Sequence, residues 1–346
     1  MNYSIILFIL GKVMMLEAAC FLIPAVTSII YGEHEGIVYL AVGAVTALIG
    51  YLISSKKKFE NVFFAREGFI MVALSWMVLS VVGAIPFVLT GEIPHIIDAL
   101  FETVSGFTTT GASILENVEE LSHTSLIWRS FTHWVGGMGV IVLLLAILPM
   151  AGGYNMHLMK AESPGPVVGK LVPRLRDTAK ILYLIYLVMT IIEFVILVCI
   201  KMPVFDALCI TFGTAGTGGF GIKADSIGSY SSAIQVVVTV FMILFGVNFN
   251  AYFLLLGKHK KAAFKMEEVR WYFGIIFAAI IMITFNIRGY FESIFIALKH
   301  AAFQVGSIIT TTGYSTTDFD LWPVFSKNIL VMLMMFGACA GSTGGG

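Results

Sequence analysis

Long apolar runs alternate with short polar connections along the whole chain. The runs fall near 4–31, 37–54, 68–90, 127–150, 180–200, 231–256 and 271–287, and another begins near Ser326. A bilayer core about 30 Å thick needs about 20 apolar residues in helical form, so the pattern predicts a series of spanning helices. Three further segments follow the third, fifth and seventh runs. Each is moderately apolar, about 12 residues long, and ends in Thr and Gly. Such a segment is too short to cross a bilayer but long enough to dip in and return.

Composition agrees with the pattern. Hydrophobic residues make up 58% of the 346-residue chain and charged residues 12%, with mean hydropathy +0.92. A soluble domain cannot hide that much apolar surface beneath a polar shell. The expected fold class is an all-α polytopic membrane protein. The formal net charge of zero gives no reason to expect a nucleic-acid partner.

Charge orients the spans. "SSKKKFENVFFAREG", the stretch from Lys160 to Lys180 and "GKHKKAAFKMEEVR" hold 14 of the 21 Lys and Arg residues. By the positive-inside rule these connections are cytoplasmic. "YGEHEG", "ENVEEL" and "TTDFDLW" are acidic or neutral and belong outside, which leaves the N-terminus cytoplasmic. The first run is too long for a signal-peptide core and lacks a clear cleavage site, so it reads as a retained span. Lys12 and Glu17 lie within it and read as a helix–helix contact or as snorkelling side chains. Cys20, Cys199, Cys209 and Cys339 sit in apolar context without CxxC spacing, as buried small hydrophobes do. The seven histidines show no ligand spacing, so no transition-metal site is expected.

The three short segments align without gaps. Residues 98–111 read "DALFETVSGFTTTG", residues 206–219 "DALCITFGTAGTGG" and residues 300–313 "HAAFQVGSIITTTG". A small residue recurs at the eighth place (Ser105, Gly213, Ser307), Thr at the twelfth (Thr109, Thr217, Thr311) and Gly at the last (Gly111, Gly219, Gly313). Recurrence at about 100 residues points to a duplicated helix–loop–helix module. Irregular backbone at membrane depth survives only when buried in protein or lining a wet cavity. A short helix whose C-terminus faces the centre favours a cation there. A following Gly-containing strand can turn carbonyl oxygens inward to replace an ion's hydration shell. The loops hold no carboxylate at that place, so selection would rest on carbonyl field, as for potassium, and not on a charged ring. Asp98, Glu102 and Asp206, placed at the outer starts of the short helices, either concentrate cations or are ordinary helix-start residues.

"GFTTTGAS", "GTGGFG" and "TTTGYST", with "HWVGGMGVIVLLLAILP" and "AESPGPVVGKLVPRLRDTAKILYLIY", resemble the membrane subunit of bacterial Trk potassium uptake systems, in the Trk/Ktr/HKT superfamily. The resemblance covers the chain from about residue 1 to its end. It implies two N-terminal helices (1–62) followed by M1–pore loop–M2 units at 63–160, 161–262 and 263–346, around one pore of pseudo-fourfold symmetry. It implies main-chain filter strands of Thr109, Thr110, Gly111, Ala112 and Ser113; of Thr217, Gly218, Gly219, Phe220 and Gly221; and of Thr311, Thr312, Gly313, Tyr314 and Ser315. The ion itself is expected at Thr110, Gly111, Gly218, Gly219, Thr312 and Gly313. A second register, using Thr214, Ala215 and Gly216, loses the gapless repeat and the aromatic after the glycine. The implied function is potassium uptake across the inner membrane, with K+ as transported ligand and no covalent cofactor. The implied partners are a second copy in a homodimer and a cytosolic nucleotide-binding regulatory subunit, for which the basic inner connections are candidate docking surfaces. Proton coupling stays open, as does a sodium-coupled Ktr-type reading; a membrane-embedded enzyme would need convergent acid and base residues, which the sequence lacks.

The last stretch, "FGACAGSTGGG", is a poor candidate for a fourth filter strand. Only 28 residues separate Gly313 from Gly341, whereas a further unit needs roughly 50 at a helical rise of about 1.5 Å per residue. The stretch is therefore expected to interrupt the third M2 helix near mid-membrane. The resemblance makes this place an intramembrane gate loop, with Gly337, Gly341, Ser342, Thr343, Gly344 and Gly345. The rest of that helix and a fourth unit are then expected to be missing from this sequence. No Lys follows the glycines as in a phosphate loop, and Ser342 has no evident His partner for nucleophilic work.

Overall fold

The computed structural model describes residues 3–55, 65–139, 175–257 and 260–345. The second half of the 127–150 run and most of the basic connections at 56–64 and 140–174 lie outside the described residues. All regular structure among the described residues is helical. Five helical segments there are long and apolar enough to cross a membrane: Tyr3–Tyr31, Gly36–Ser55, Gly68–Thr90, Ala179–Cys199 and Glu267–Tyr290. The chain divides into two compact units, one of residues 1–108 and 112–183, the other of residues 109–111 and 184–346.

The first unit is built on α1 (Tyr3–Cys20), α2 (Leu22–Tyr31), α3 (Gly36–Ser55), α4 (Ala65–Thr90), α5 (Ile96–Phe107) and α6 (His123–Gly137). The helices α1 and α2 make one span with a flaw at Phe21. Pro24 has no N–H to give the Cys20 carbonyl, so the ladder loses one bond there. In lipid, tails are as apolar as leucine, and helices hold together by close backbone approach. The α1–α3 seam follows that rule: a Cβ on Gly11 would stand 2.6 Å from the Gly50 carbonyl oxygen, and a Cβ on Gly50 2.6 Å from that of Gly11. Further along, Trp128 is fully buried among Phe21, Tyr39 and Phe107 and donates its indole N–H to the Gly83 carbonyl at 3.1 Å. Glu17 lies buried against the α4 backbone at Gly83, which fits the helix–helix contact of its two expected readings and not snorkelling.

Outside the spans, two carboxylates hold the start of α6. Glu33 accepts from the backbone and ring nitrogens of His123 at 2.9 and 2.8 Å, and from the backbone and hydroxyl of Thr124 at 2.9 and 2.6 Å. Glu92 accepts from the backbone of Ser122 at 2.6 Å and from the Ser125 hydroxyl. Negative charge at a helix N-terminus meets unpaired N–H groups and the positive end of the dipole. Burial pushes the Glu33 carboxyl up, but its bonds from Thr124 and His123 outweigh that and hold it below the ordinary value.

The second unit contains the apolar part of α7 (Leu175–Cys199), then α8 (Val204–Ala215), α9 (Ser232–Phe245), α10 (Phe249–Leu256), α11 (Lys260–Lys265), α12 (Glu267–Ile287), α13 (Ile294–Ile309) and α14 (Val324–Phe336). The 231–256 run is not one straight span, as its apolarity predicted. It is two helices, α9 and α10, bent by 91°. The break falls at Gly246-Val247-Asn248, where a glycine and an Asn cap, whose side chain accepts from the Asn250 N–H at 2.9 Å, interrupt the apolar run; a window averaged over about 19 residues passes over so short a signal. Of the cysteines, Cys209 and Cys339 are buried as expected, whereas Cys199 is exposed.

Three stability predictions follow, two from the first unit and one from α12 of the second. Gly50→Ala should destabilise the α1–α3 seam by about 1–3 kcal/mol, read as unfolding in mixed detergent. Gly274→Ala, where a Cβ meets nothing within 4 Å, should be neutral or stabilising. For Glu33, a carboxylate held below its unfolded value contributes stability above that value and loses it as pH falls through the folded one. Wild type should therefore exceed Glu33→Gln in thermal stability at neutral pH, and the gap should close below about pH 4.

Candidate ion pathway

The three short segments do form short helices: α5, α8 and α13. Each ends on a residue with φ near −80° (Thr108 at −81°, Gly216 at −76°, Thr310 at −88°). The next residue in each turns left-handed: Thr109 at φ 54°, Thr217 at 52° and Thr311 at 59°. Two residues later comes a glycine of positive φ: Gly111 at 75°, Gly219 at 79° and Gly313 at 89°. The gapless alignment thus superimposes the same sequence of backbone conformations three times. Thr214 and Ala215, the competing register, are still in α8.

The last two helices end in Schellman turns. Gly218 N–H reaches the Gly213 carbonyl at 2.9 Å and Thr217 N–H that of Thr214 at 3.0 Å; Thr312 and Thr311 repeat this with Ser307 at 2.9 Å and Ile308 at 3.1 Å. The left-handed residue of such a turn is usually Gly. A β-branched residue there costs about 1–2 kcal/mol, three times over. Strain repeated at corresponding places marks a functional constraint.

The strands lie side by side. A Cβ on Gly111 would overlap the carbonyl oxygen of Gly218, and one on Gly219 would overlap that of Thr312. The same step is taken twice: the glycine of one strand abuts the carbonyl just before the glycine of the next. A Cβ on Gly313 would meet nothing within 4 Å. Gly218 and Thr312 are buried, yet their carbonyl oxygens accept no hydrogen bond among the described residues.

The residues after the glycines behave differently. The Tyr314 carbonyl accepts from the Ser307 hydroxyl at 2.6 Å, and the Phe220 carbonyl from the Tyr314 hydroxyl at 3.3 Å. Both were expected as ion ligands, but these oxygens already face protein donors behind the strands. Tyr314 lies against Gly213, where a Cβ would collide with its hydroxyl, which explains the small residue at that place of the repeat. Ser315 is tied to the 226–227 turn, its carbonyl accepting from Ile227 at 3.1 Å and its N–H reaching the Ser226 hydroxyl at 3.2 Å.

Glu102 is not at an outer helix start. It is buried in the middle of α5, ion-paired with the buried Arg129 of α6. It also accepts from the Ser113 hydroxyl at 3.0 Å and the Ile114 N–H at 3.1 Å, and so fixes the chain just past Gly111. Sequence reasoning placed it with Asp98 and Asp206 at the outer helix starts and missed Arg129 as its partner. Asp206 lies in the first turn of α8 and accepts from the Tyr230 hydroxyl at 2.8 Å.

The helix α14 runs 13 residues and stops at Gly337, φ 65° and ψ −166°, a conformation open essentially to glycine alone. At about 1.5 Å per residue it covers roughly 20 Å, short of a bilayer core. Residues 338–345 then fold back. Ala338 N–H meets the Gly345 carbonyl at 2.9 Å, and the Ser342 hydroxyl donates to the Cys339 carbonyl at 2.7 Å. This segment docks on the α9–α10 break. Cys339 N–H donates to the Gly246 carbonyl at 3.0 Å, Thr343 N–H to that of Phe245 at 3.3 Å, and Phe249 N–H to that of Gly341 at 2.9 Å. Tyr272 and Tyr252 hydroxyls take the Ile243 and Leu244 carbonyls at 3.0 and 2.6 Å. The carboxylate of Glu268 accepts from Ala340 N–H and, at 3.2 Å, from the Asn248 side chain.

The segment also touches the strained threonines. The Thr217 hydroxyl donates to the Thr343 carbonyl at 2.8 Å, and Gly345 N–H donates to the Thr311 hydroxyl at 3.0 Å. Gly337, Gly341, Ser342, Thr343, Gly344 and Gly345 are therefore one folded loop against the first residues of the second and third strands.

With this geometry in place, comparison with known proteins is decisive. The TrkH family of cation transport proteins matches residues 36–346. The chain belongs to this family. Trk system potassium uptake protein TrkH of Escherichia coli K12 is 36% identical over 354 residues, covering 100% of this chain and 73% of the relative. TrkG of the same strain is 32% identical, covering 97% of this chain and 70% of its own length. The crystal structure of the potassium transporter TrkH from Vibrio parahaemolyticus superimposes with a TM-score of 0.87 at 33% identity, covering 100% of this chain and 72% of that one. As a TrkH-family protein this is a multi-pass membrane transporter and not an enzyme.

Breaking the Glu102–Arg129 pair from one side should be severe. Arg129→Met leaves a buried carboxylate unpaired and should lower stability by about 3–5 kcal/mol, while Glu102→Gln combined with Arg129→Met should recover most of that loss. Unfolding of the three proteins in detergent tests the difference.

Proposed function

We propose that this protein carries potassium into the cell through a filter of main-chain carbonyls on residues 109–111, 217–219 and 311–313. The observation that carries the reading is the pair of carbonyl oxygens of the buried Gly218 and Thr312, which accept no hydrogen bond among the described residues and lie at the same step of adjacent strands. Buried carbonyls left without partners cost about 1–3 kcal/mol each; a dehydrated cation offsets that cost and gains the oxygen shell it needs. The names of the relatives supply the ion. No side chain in the nine residues titrates, so the selection step takes no proton. Ala112 and Ser113, Phe220 and Gly221, and Tyr314 and Ser315 serve as supports that fix each strand.

On this reading residues 337–345 are the gate. They close the inner side of the strands through Thr217 and Thr311, and their own backbone is satisfied by a second helix break, so the loop has a defined closed position. The protein lies in the inner membrane with its N-terminus and basic connections in the cytoplasm. A homodimer and a cytosolic nucleotide-binding regulator acting on the basic face complete the system.

Rubidium uptake in potassium-starved cells, with sodium as competitor, tests the filter. Gly219→Ala should abolish selective uptake, because its Cβ would overlap the Thr312 carbonyl. Gly313→Ala should reduce selectivity less, since only its positive φ resists the substitution. Unchanged preference for rubidium over sodium in both variants would overturn the assignment.

A further inference from the structure

Directly behind the α9–α10 break lies a cavity of about 560 Å³, within the usual size of a small-molecule site. Leu244, Val247, Ala251 and Leu255 form one wall; Ala263, Phe264 and Phe273 face them. Among the described residues, the one charged residue in its lining is Arg270. Its guanidinium makes no ion pair or hydrogen bond among the described residues, nor do the exposed amino groups of Lys260, Lys261 and Lys265 on α11. Of the nearby acids, Glu268 is committed to Asn248 and Ala340, and Glu267 is exposed.

We infer that this cavity binds one anionic phospholipid of the inner leaflet, an acyl chain filling the apolar slot and the phosphate resting on Arg270 and the α11 lysines. Three observations select a lipid over a water-borne partner. The walls are aliphatic and aromatic. The helix α10 turns away from α9 at 91°, and its sequence "FNAYFLLL" is apolar nearly throughout. Phe264 of the lining is exposed at 71%, the placing of an aromatic at a lipid–water boundary. Basic side chains there attract anionic headgroups.

The site bears on the proposed gate, and this clause rests on that reading. Val247 and Ala251 line the slot, and Asn248 between them stands against Gly341. An acyl chain in the slot braces the break on which residues 338–345 dock.

Native mass spectrometry of the full-length protein in detergent, offered phosphatidylglycerol or phosphatidylcholine, tests the binding. Wild type should retain phosphatidylglycerol in preference, Arg270→Gln should retain it about fivefold less, and Arg270→Lys should restore part of it. Ala263→Leu should reduce retention by filling the slot with the charge intact. Equal retention of both lipids, undiminished retention in Arg270→Gln, or displacement by glycerol phosphate alone would overturn the site. So would retention of a cytosolic protein, lost in Arg270→Gln, without lipid binding. Rubidium flux in vesicles of graded phosphatidylglycerol content tests the gate separately. It should rise with that lipid in wild type and stay flat in Arg270→Gln; flux independent of lipid with binding intact would overturn the coupling and leave the site standing.

Discussion

A backbone inside a bilayer has no water to bond with, and most of this structure answers that constraint. An unbroken helix satisfies it internally. This chain breaks two helices at depth, at 246–248 and at Gly337, and the orphan groups of one break meet those of the other. Cys339 donates to Gly246, Thr343 to Phe245, and Phe249 to Gly341, while Tyr272 and Tyr252 take the carbonyls of Ile243 and Leu244. Each break would be untenable alone; together they make a loop that is ordered without being helical.

Against that accounting, the carbonyls of Gly218 and Thr312 are exceptions that mean something. They belong to strands whose first residue is a threonine in a left-handed conformation that glycine would adopt freely. A glycine there would relieve the strain but remove the hydroxyls that join Thr217 to Thr343 and Thr311 to Gly345. The threonine is where strand and loop meet, and on the proposed reading local strain is exchanged for a mechanical link between the selecting and the closing elements. Tyr314 fixes the second and third strands, and the Glu102–Arg129 pair fixes the chain just past Gly111; on the proposed reading both hold the backbone that binds the ion.

The spans, the three short helices and their register were legible in the sequence, because hydropathy and an ungapped repeat report them directly. The stop at Gly337 was legible by counting residues from Gly313. The α9–α10 break was not: Gly246 and the capping Asn248 mark it, but their flanks are apolar enough for the whole run to read as one span. Arg129 was missed for a related reason: a buried ion pair across two helices leaves no local spacing to read. The roles of Phe220 and Tyr314 needed side-chain contacts over about 100 residues of sequence, beyond any motif.

The central claim is that the backbone oxygens left without protein partners are the ion's ligands. Anomalous diffraction from crystals of the full-length protein grown in rubidium tests this most directly. The account predicts a rubidium peak in direct contact with the carbonyl oxygens of Gly218 and Thr312. A peak confined to other parts of the pathway, with those two oxygens bonded to water or protein, would contradict it.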